Sequence, residues 1–336
     1  MNANDTFPLD QRPFASASVP PQRTPDYAAF GLNLFQRLAG ASRDQNVVIS
    51  PVSAGLALSM LANGATGQTL AQIERTLATG LELEALNHGN AALSDALGTD
   101  DLELAIANSL WARGPFLPSF VEQTTRLYSA QAGPLVSAAP INDWVSRNTG
   151  GRIKKMVQDP IDPLIILFLL NAVYFKGRWQ DEFDPEVTRP GTFYSPSGPV
   201  ERPMMSRTGY CGWLAGPGFQ AVRLPYRGER FAMYVLLPDP GKDLASLRER
   251  LTSEAWTEWM DGLRGGRWGP EVRVVMPRYR IEVTSPLNGS LQAMGMEDAF
   301  VSGRAALDAM LPAEYVARAQ PYVSSVLQKV FIEVNE

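Results

Sequence analysis

Two residue types on which much enzyme chemistry rests are almost absent. The 336 residues include one cysteine, Cys211, and one histidine, His88. A single cysteine excludes an intrachain disulfide and a paired-cysteine metal site. A Ser-His-Asp triad or a histidine metal centre would have to use His88. That residue stands in LNHGNAAL with no cysteine nearby and reads as a solvent-facing helix histidine. No enzyme activity, cofactor or metal is therefore expected. Bulk positive charge is lacking too: 30 Lys and Arg against 35 Asp and Glu leave a net charge of −5. No broad field favours nucleic acid or an anionic membrane. The basic triplet Arg152, Lys154, Lys155 reads as a solvated helix face. No apolar run reaches the roughly 20 residues of a membrane span. The leading MNANDTFPLDQRPF lacks the apolar centre of a secretory signal. Residues 1–23 carry Pro8, Pro13, Pro20 and Pro21 among Ser and Ala, the composition of a disordered tail. Internal repeats are not seen. Residues 24–336 remain as the folded domain, and with 45% hydrophobic residues they suffice for a large core.

What is present is one long apolar stretch, LIILFLLNAVYFKGRWQDEF, from Leu164 to Phe183. Seven apolar residues run from Leu164 to Leu170 without alternation or helical stripe, and Ala172 to Phe175 continue them past Asn171. Such a run, bounded by Asp159-Pro160 and Pro163 before it and Lys176-Gly177 after it, predicts a strand buried on both faces. Twelve residues would span roughly 40 Å. A buried helix is the rival reading. Asn171 is the informative residue, since a buried amide needs partners for its donors and acceptor. It either caps a local turn or belongs to a polar cluster beneath a sheet.

The candidate partners lie far off in the chain. Ser53 opens an almost wholly apolar helix, Ser53 to Ala62, after a short predicted strand Val47 to Ser50. In YVSSVLQKVFIEVNE, Val326, Gln328, Val330, Ile332 and Val334 share one strand face, so Gln328 is a polar group on an apolar face. Other expected elements are a helix capped by Thr24 with Pro25 in its first turn and ending at Gly40. Thr69 to Gln72 reads as a capping box for a helix ending at Gly80. Leu102 to Arg113 is a strand, Leu117 to Tyr128 a helix, and Val222 to Tyr226 with Phe231 to Leu237 a hairpin. Asp243 caps a helix, and strands Val272 to Met276 and Tyr279 to Val283 flank Pro277. The string Gly216 to Ala221 fits G-x-G-x-x-A, but Pro217 and the strand that follows make it a turn.

Four stretches carry a family resemblance. NAVYFKGRWQDEFDPEVT (Asn171 to Thr188) resembles the serpin signature at the middle of that family's large sheet. NVVISPVSAGLALSMLANGATG (Asn46 to Gly67), MPRYRIEVTSPLNGSLQAMGMEDAF (Met276 to Phe300) and the final strand are similar to serpin patterns in the same order. Tyr279 stands where the family often has Phe, and Gln328 where it usually has His. Ile141 to Val157 resembles the helix that crosses the front of the sheet, with Trp144, Val145, Ile153 and Val157 facing it and Gly150-Gly151 either softening it or ending it.

The resemblance implies an α+β fold of about eight or nine helices around a large, mostly antiparallel sheet with two smaller sheets. It implies a metastable serine protease inhibitor, acting on chymotrypsin-like or subtilisin-like proteases by inserting a cleaved loop into the large sheet. The alternative is a non-inhibitory binding or structural module of the same fold. By the same resemblance Ser53, Asn171 and Gln328 form a sheet-opening polar cluster. Trp179 and Gly177 mark the loop-insertion entry, and Glu333, Asn335 and Glu336 lie beside the hinge. The family pattern continues beyond Glu336 into the loop and the last strands. The expectation is a C-terminally incomplete domain, monomeric but with a risk of strand exchange or aggregation at an open edge. The family's heparin-binding helix is not carried over, because Glu82 to Leu97 has no Lys or Arg. An extracellular location follows from the family, a cytoplasmic one from the missing signal.

Overall fold

The computed structural model describes residues 23–41, 45–97, 102–195, 198–264 and 269–336. The predicted tail therefore lies outside the described residues, Arg23 apart. The first half of the chain runs α1 (Ala28–Ala41), α2 (Pro51–Ala62), α3 (Gly67–Leu77), α4 (Leu83–Leu97), β1 (Leu102–Ala112), α5 (Pro118–Tyr128), β2 (Gln131–Pro134), α6 (Ala138–Asn148) and β3 (Leu167–Gly177). The second half adds β4 (Arg189–Ser195), β5 (Gly198–Tyr210), β6 (Gly212–Gly216), β7 (Phe219–Pro225), β8 (Ala232–Pro238), α7 (Leu244–Glu249), α8 (Ser253–Gly262), β9 (Glu271–Pro277), β10 (Tyr279–Pro286), α9 (Asn288–Ala293), α10 (Ala313–Ala319) and β11 (Val323–Val334). Ten α-helices thus surround the sheets among the described residues. None of them is long and apolar enough to cross a membrane.

The large sheet has five strands in the order β10-β11-β3-β1-β2, and two sheets of three strands, β4-β5-β9 and β6-β7-β8, complete the architecture. In the large sheet β1 with β3 and β10 with β11 pair antiparallel, while β11 with β3 and β1 with β2 pair parallel, so the sheet is mixed.

The unbroken apolar run of β3 is explained by burial on both faces. Leu167 and Leu169 point into a core built around α2, with Leu58, Leu61, Leu110 and Val326. Phe168, Leu170, Ala172 and Tyr174 point into a second core under α6, with Trp111, Trp144, Ile153 and Phe331. The strand begins three residues later than the apolar run: Leu164 is exposed and sits in the turn that Asp162 makes with the Leu164 N–H.

Several local expectations are corrected. α1 begins at Ala28, not beside Thr24, because the Asp26 carboxylate accepts from the Ala28 N–H at 2.8 Å, and it runs through Gly40. Residues 47–50 form no strand. α6 stops at Asn148 because Gly150 and Gly151 take φ of 55° and 73°, a left-handed backbone incompatible with helix. Even so, Trp144, Val145, Ile153 and Val157 are all buried against the sheet.

The capping box also fails. α3 starts at Gly67, and its Thr69 and Gln72 side chains reach across to the segment that follows α9. Thr69 Oγ1 accepts from the Ala306 N–H at 3.0 Å. Gln72 Oε1 accepts from the Glu297 and Asp298 N–H groups at 2.9 and 2.8 Å. Gln72→Ala would strand two backbone donors. We expect a loss of about 1–3 kcal/mol, seen as a lower urea midpoint with an unchanged slope.

Candidate functional site: a polar seam in the large sheet

The parity of β3 places Asn171 on the same face as Leu167 and Leu169, toward α2. Cross-strand register sets Asn108 of β1 opposite it on one side and Gln328 of β11 on the other. α2 enters from below. Its N-cap residue Ser50 is extended and Pro51 occupies the first turn, so Ser53 is presented to the underside of the sheet. Ser53 and Gln328 are fully buried and Asn171 is 1% exposed.

The structure brings these side chains together. Asn171 Nδ2 donates to Asn108 Oδ1 at 2.6 Å, to the Ser53 carbonyl at 3.2 Å and to Ser53 Oγ. Gln328 Nε2 donates to Asn171 Oδ1 at 2.6 Å and to the Ser50 carbonyl at 3.1 Å, and Gln328 Oε1 accepts from the Ser50 N–H at 2.9 Å. The Gln328 amide thus pairs with both backbone groups of Ser50. Those groups are taken by a side chain, so Ser50 has no ladder partner. Asn108 is the member that sequence reasoning missed. The signal was available: it lies between Ile106 and Leu110 on one face of β1, a polar residue on an apolar face.

Trp179 follows the end of β3 and is 5% exposed. It forms an isolated bridge with Tyr226 and stacks on that ring at 4.8 Å, which docks β3 on the β7-β8 hairpin. Its Nε1 donates to the Asn335 carbonyl at 2.8 Å. Gly177 makes the stack possible, since a Cβ there would lie 2.7 Å from a Tyr226 ring carbon. Glu336 accepts from Arg278 Nε at 2.6 Å and from Thr188 Oγ1. Partial burial opposes ionisation, but the bonds from Arg278 and Thr188 outweigh it and hold the Glu336 carboxyl below its usual range. Glu333 is exposed and faces Arg280 in register. Gly177, Trp179, Asn335 and Glu336 therefore cluster at one end of the β3–β11 seam, and Ser53, Asn171 and Gln328 lie farther down its back. The only cysteine, Cys211, is buried, and His88 is exposed on α4.

The family model "Serpin (serine protease inhibitor)" matches residues 25–336. The chain belongs to the serpin family. It is 33% identical to human serpin B8 over 321 residues, covering 91% of this chain and 84% of that protein. It is also 33% identical to mouse antithrombin-III over 331 residues, covering 91% and 69%. Among solved structures, a thermophilic serpin, tengpin, in the native state superposes with a TM-score of 0.80 at 26% identity, covering 92% of this chain and 79% of that one. Uncleaved ovalbumin gives 0.84 at 25% identity, covering 94% and 87%. This serpin carries Gln328 in its seam, and no member of its polar cluster ionises near neutral pH.

Two pH predictions follow from that chemistry. A histidine buried at 328 would be held neutral, its pKa below the unfolded value near 6.5, so its stability contribution is present above that pH and lost below it. Gln328→His should therefore lose stability as pH falls from about 7 to 5, measured by urea midpoints, while the parent stays flat over that window. Glu336 has the lowered pKa of a bonded carboxylate. The parent's advantage over Glu336→Gln should hold above about pH 4.5 and vanish as pH drops through the folded pKa.

Proposed function

We propose that the protein inhibits serine proteases of the chymotrypsin-like or subtilisin-like kind by accepting a cleaved loop as a new strand between β3 and β11. That loop insertion is the established behaviour of the family and is taken from it. The observation that carries the proposal is the seam itself. β3 and β11 are parallel neighbours, and their pairing stops at Tyr174 and Phe331. Both strands run three residues farther, to Gly177 and Val334, each paired only on its other side. A strand entering there, beside Trp179, can lie antiparallel to both. One parallel pairing would be exchanged for two antiparallel ones, each slightly more stable per residue.

In this reading Asn171–Gln328 is the bond that must part for the sheet to open, and Trp179 with Gly177 marks where entry begins. Glu333, Asn335 and Glu336 flank the hinge. The protein acts as a suicide substrate and supplies no catalytic group. The covalent bond is an ester formed by the protease's own serine.

Expression from the complete reading frame, incubation with chymotrypsin-like and subtilisin-like proteases, and denaturing electrophoresis test this. An SDS-stable complex is expected. Asn171→Ala, which loosens the seam, should change the ratio of complex to simple cleavage product. Cleavage without complex by every protease tried would move the assignment to a non-inhibitory binding or structural serpin.

A further inference from the structure

We propose that Asn288 is a self-modifying site: its side-chain amide deamidates spontaneously, and the product unpins the start of β11. Asparagine loses ammonia most readily before glycine, which has no Cβ to hinder its backbone nitrogen. The sequence holds two such pairs, Asn63-Gly64 and Asn288-Gly289. The structure separates them.

At Asn288 the reacting groups are open. Gly289 is exposed, and nothing lies within 4 Å of where its Cβ would be. The first bond of α9 runs from the Leu291 N–H to the Leu287 carbonyl at 2.9 Å, so the Gly289 N–H precedes the helical ladder. Asn288 Oδ1 accepts from the Val326 N–H at 2.8 Å. That donor is placed to stabilise negative charge on the oxygen as a nucleophile adds to Cγ. At Asn63 the same groups are closed. The Gly64 N–H is bonded to the Leu61 carbonyl at 2.9 Å, Gly64 packs on Met310, and Asn63 is 6% exposed. The Asn63 amide is held by Ser59, Asn87 and Gln123.

The reaction needs only water. The Gly289 nitrogen bonds to Asn288 Cγ, its proton passes to Nδ2, and ammonia leaves a five-membered succinimide. Water then opens the ring. Attack at Cγ gives aspartate, and attack at the main-chain carbonyl carbon gives isoaspartate, with the chain running through the former side chain. Either way the amide donor is lost. That donor matters, because Asn288 Nδ2 donates to the Ser324 carbonyl at 2.8 Å. With the Val326 bond, and with the Leu287 N–H on the Val326 carbonyl at 2.9 Å, it carries the β10–β11 pairing past its last rung, Pro286 opposite Leu327. A carboxylate still accepts from Val326 but sets an oxygen against the Ser324 carbonyl, two acceptors with no proton between them. The freed stretch is the start of β11, where its register with β3 shifts between Val323 and Ser325.

The test is to hold the folded protein at mildly alkaline pH, digest it and follow both pairs by mass spectrometry. Aspartate and isoaspartate are expected at Asn288, with conversion at Asn63 slower by about tenfold or more. In concentrated urea the two should convert at similar rates, and a gap as wide as in the folded protein would overturn the structural reading. Gly289→Ala, for which there is room, should slow conversion at Asn288 by about tenfold or more and leave Asn63 unchanged. Asn288→Asp should lower the urea midpoint without changing the slope. The proposal falls if folded Asn288 is still intact when the urea-unfolded chain has converted, or if both pairs convert equally in the folded protein. A midpoint that Asn288→Asp leaves unmoved overturns the unpinning of β11.

Discussion

The amide of Asn171 is the constraint from which much of this fold can be argued. It sits in a strand covered on both faces, so water cannot complete its hydrogen bonds. Every partner must come from the protein, and each comes from a different element: Ser53 from the start of α2, Asn108 from β1, Gln328 from β11. A one-residue slip of any strand would send its polar group to the opposite face and leave the others unpaired. The cluster therefore fixes three strands in register and sets the height of α2 beneath them. The apolar contacts of the two cores supply most of the stabilisation, but they are less particular about register than the amides are.

Much of this was legible in the sequence because polar residues on apolar faces are conspicuous. Asn171 and Gln328 were found that way, and Ser53 by its place at the head of an apolar helix. Asn108 obeyed the same rule but was read only as part of a strand, never by face. The errors elsewhere share a cause. Residues 47–50 looked like a strand from composition, yet the Ser50 backbone is satisfied by a side chain 278 positions away. Thr69 and Gln72 had the spacing of a capping box, yet they serve a distant segment. In both cases the partner is a group far along the chain that local spacing does not reveal.

The front of the seam is closed by different chemistry. Tyr174 and Phe331 are register partners across β3 and β11, and their rings meet at 6.1 Å under the segment that follows α6. Arg152 of that segment lies over Tyr174, and Arg280 of β10 over Phe331, so each ring also carries a cation. Lys329 reaches from β11 to Glu282 at 2.7 Å and to the Lys155 carbonyl, which ties the same segment down. Amides on the back and rings on the front thus hold a parallel pairing that already ends short of both strand ends.

The geometry of the back face makes this closure cooperative. Asn171 is bonded to Ser53 and Gln328 to Ser50, a residue of the first turn and the N-cap of one helix. If β3 and β11 separate, that turn cannot follow both strands. Either Asn171 leaves Ser53, or Gln328 releases the Ser50 backbone, in addition to the loss of the amide–amide bond between them. Opening the seam therefore costs at least two buried hydrogen bonds together, and each group left without a partner adds about 1–3 kcal/mol. The start of α2, an element that contributes no strand to the sheet, thus adds to the cost of parting it.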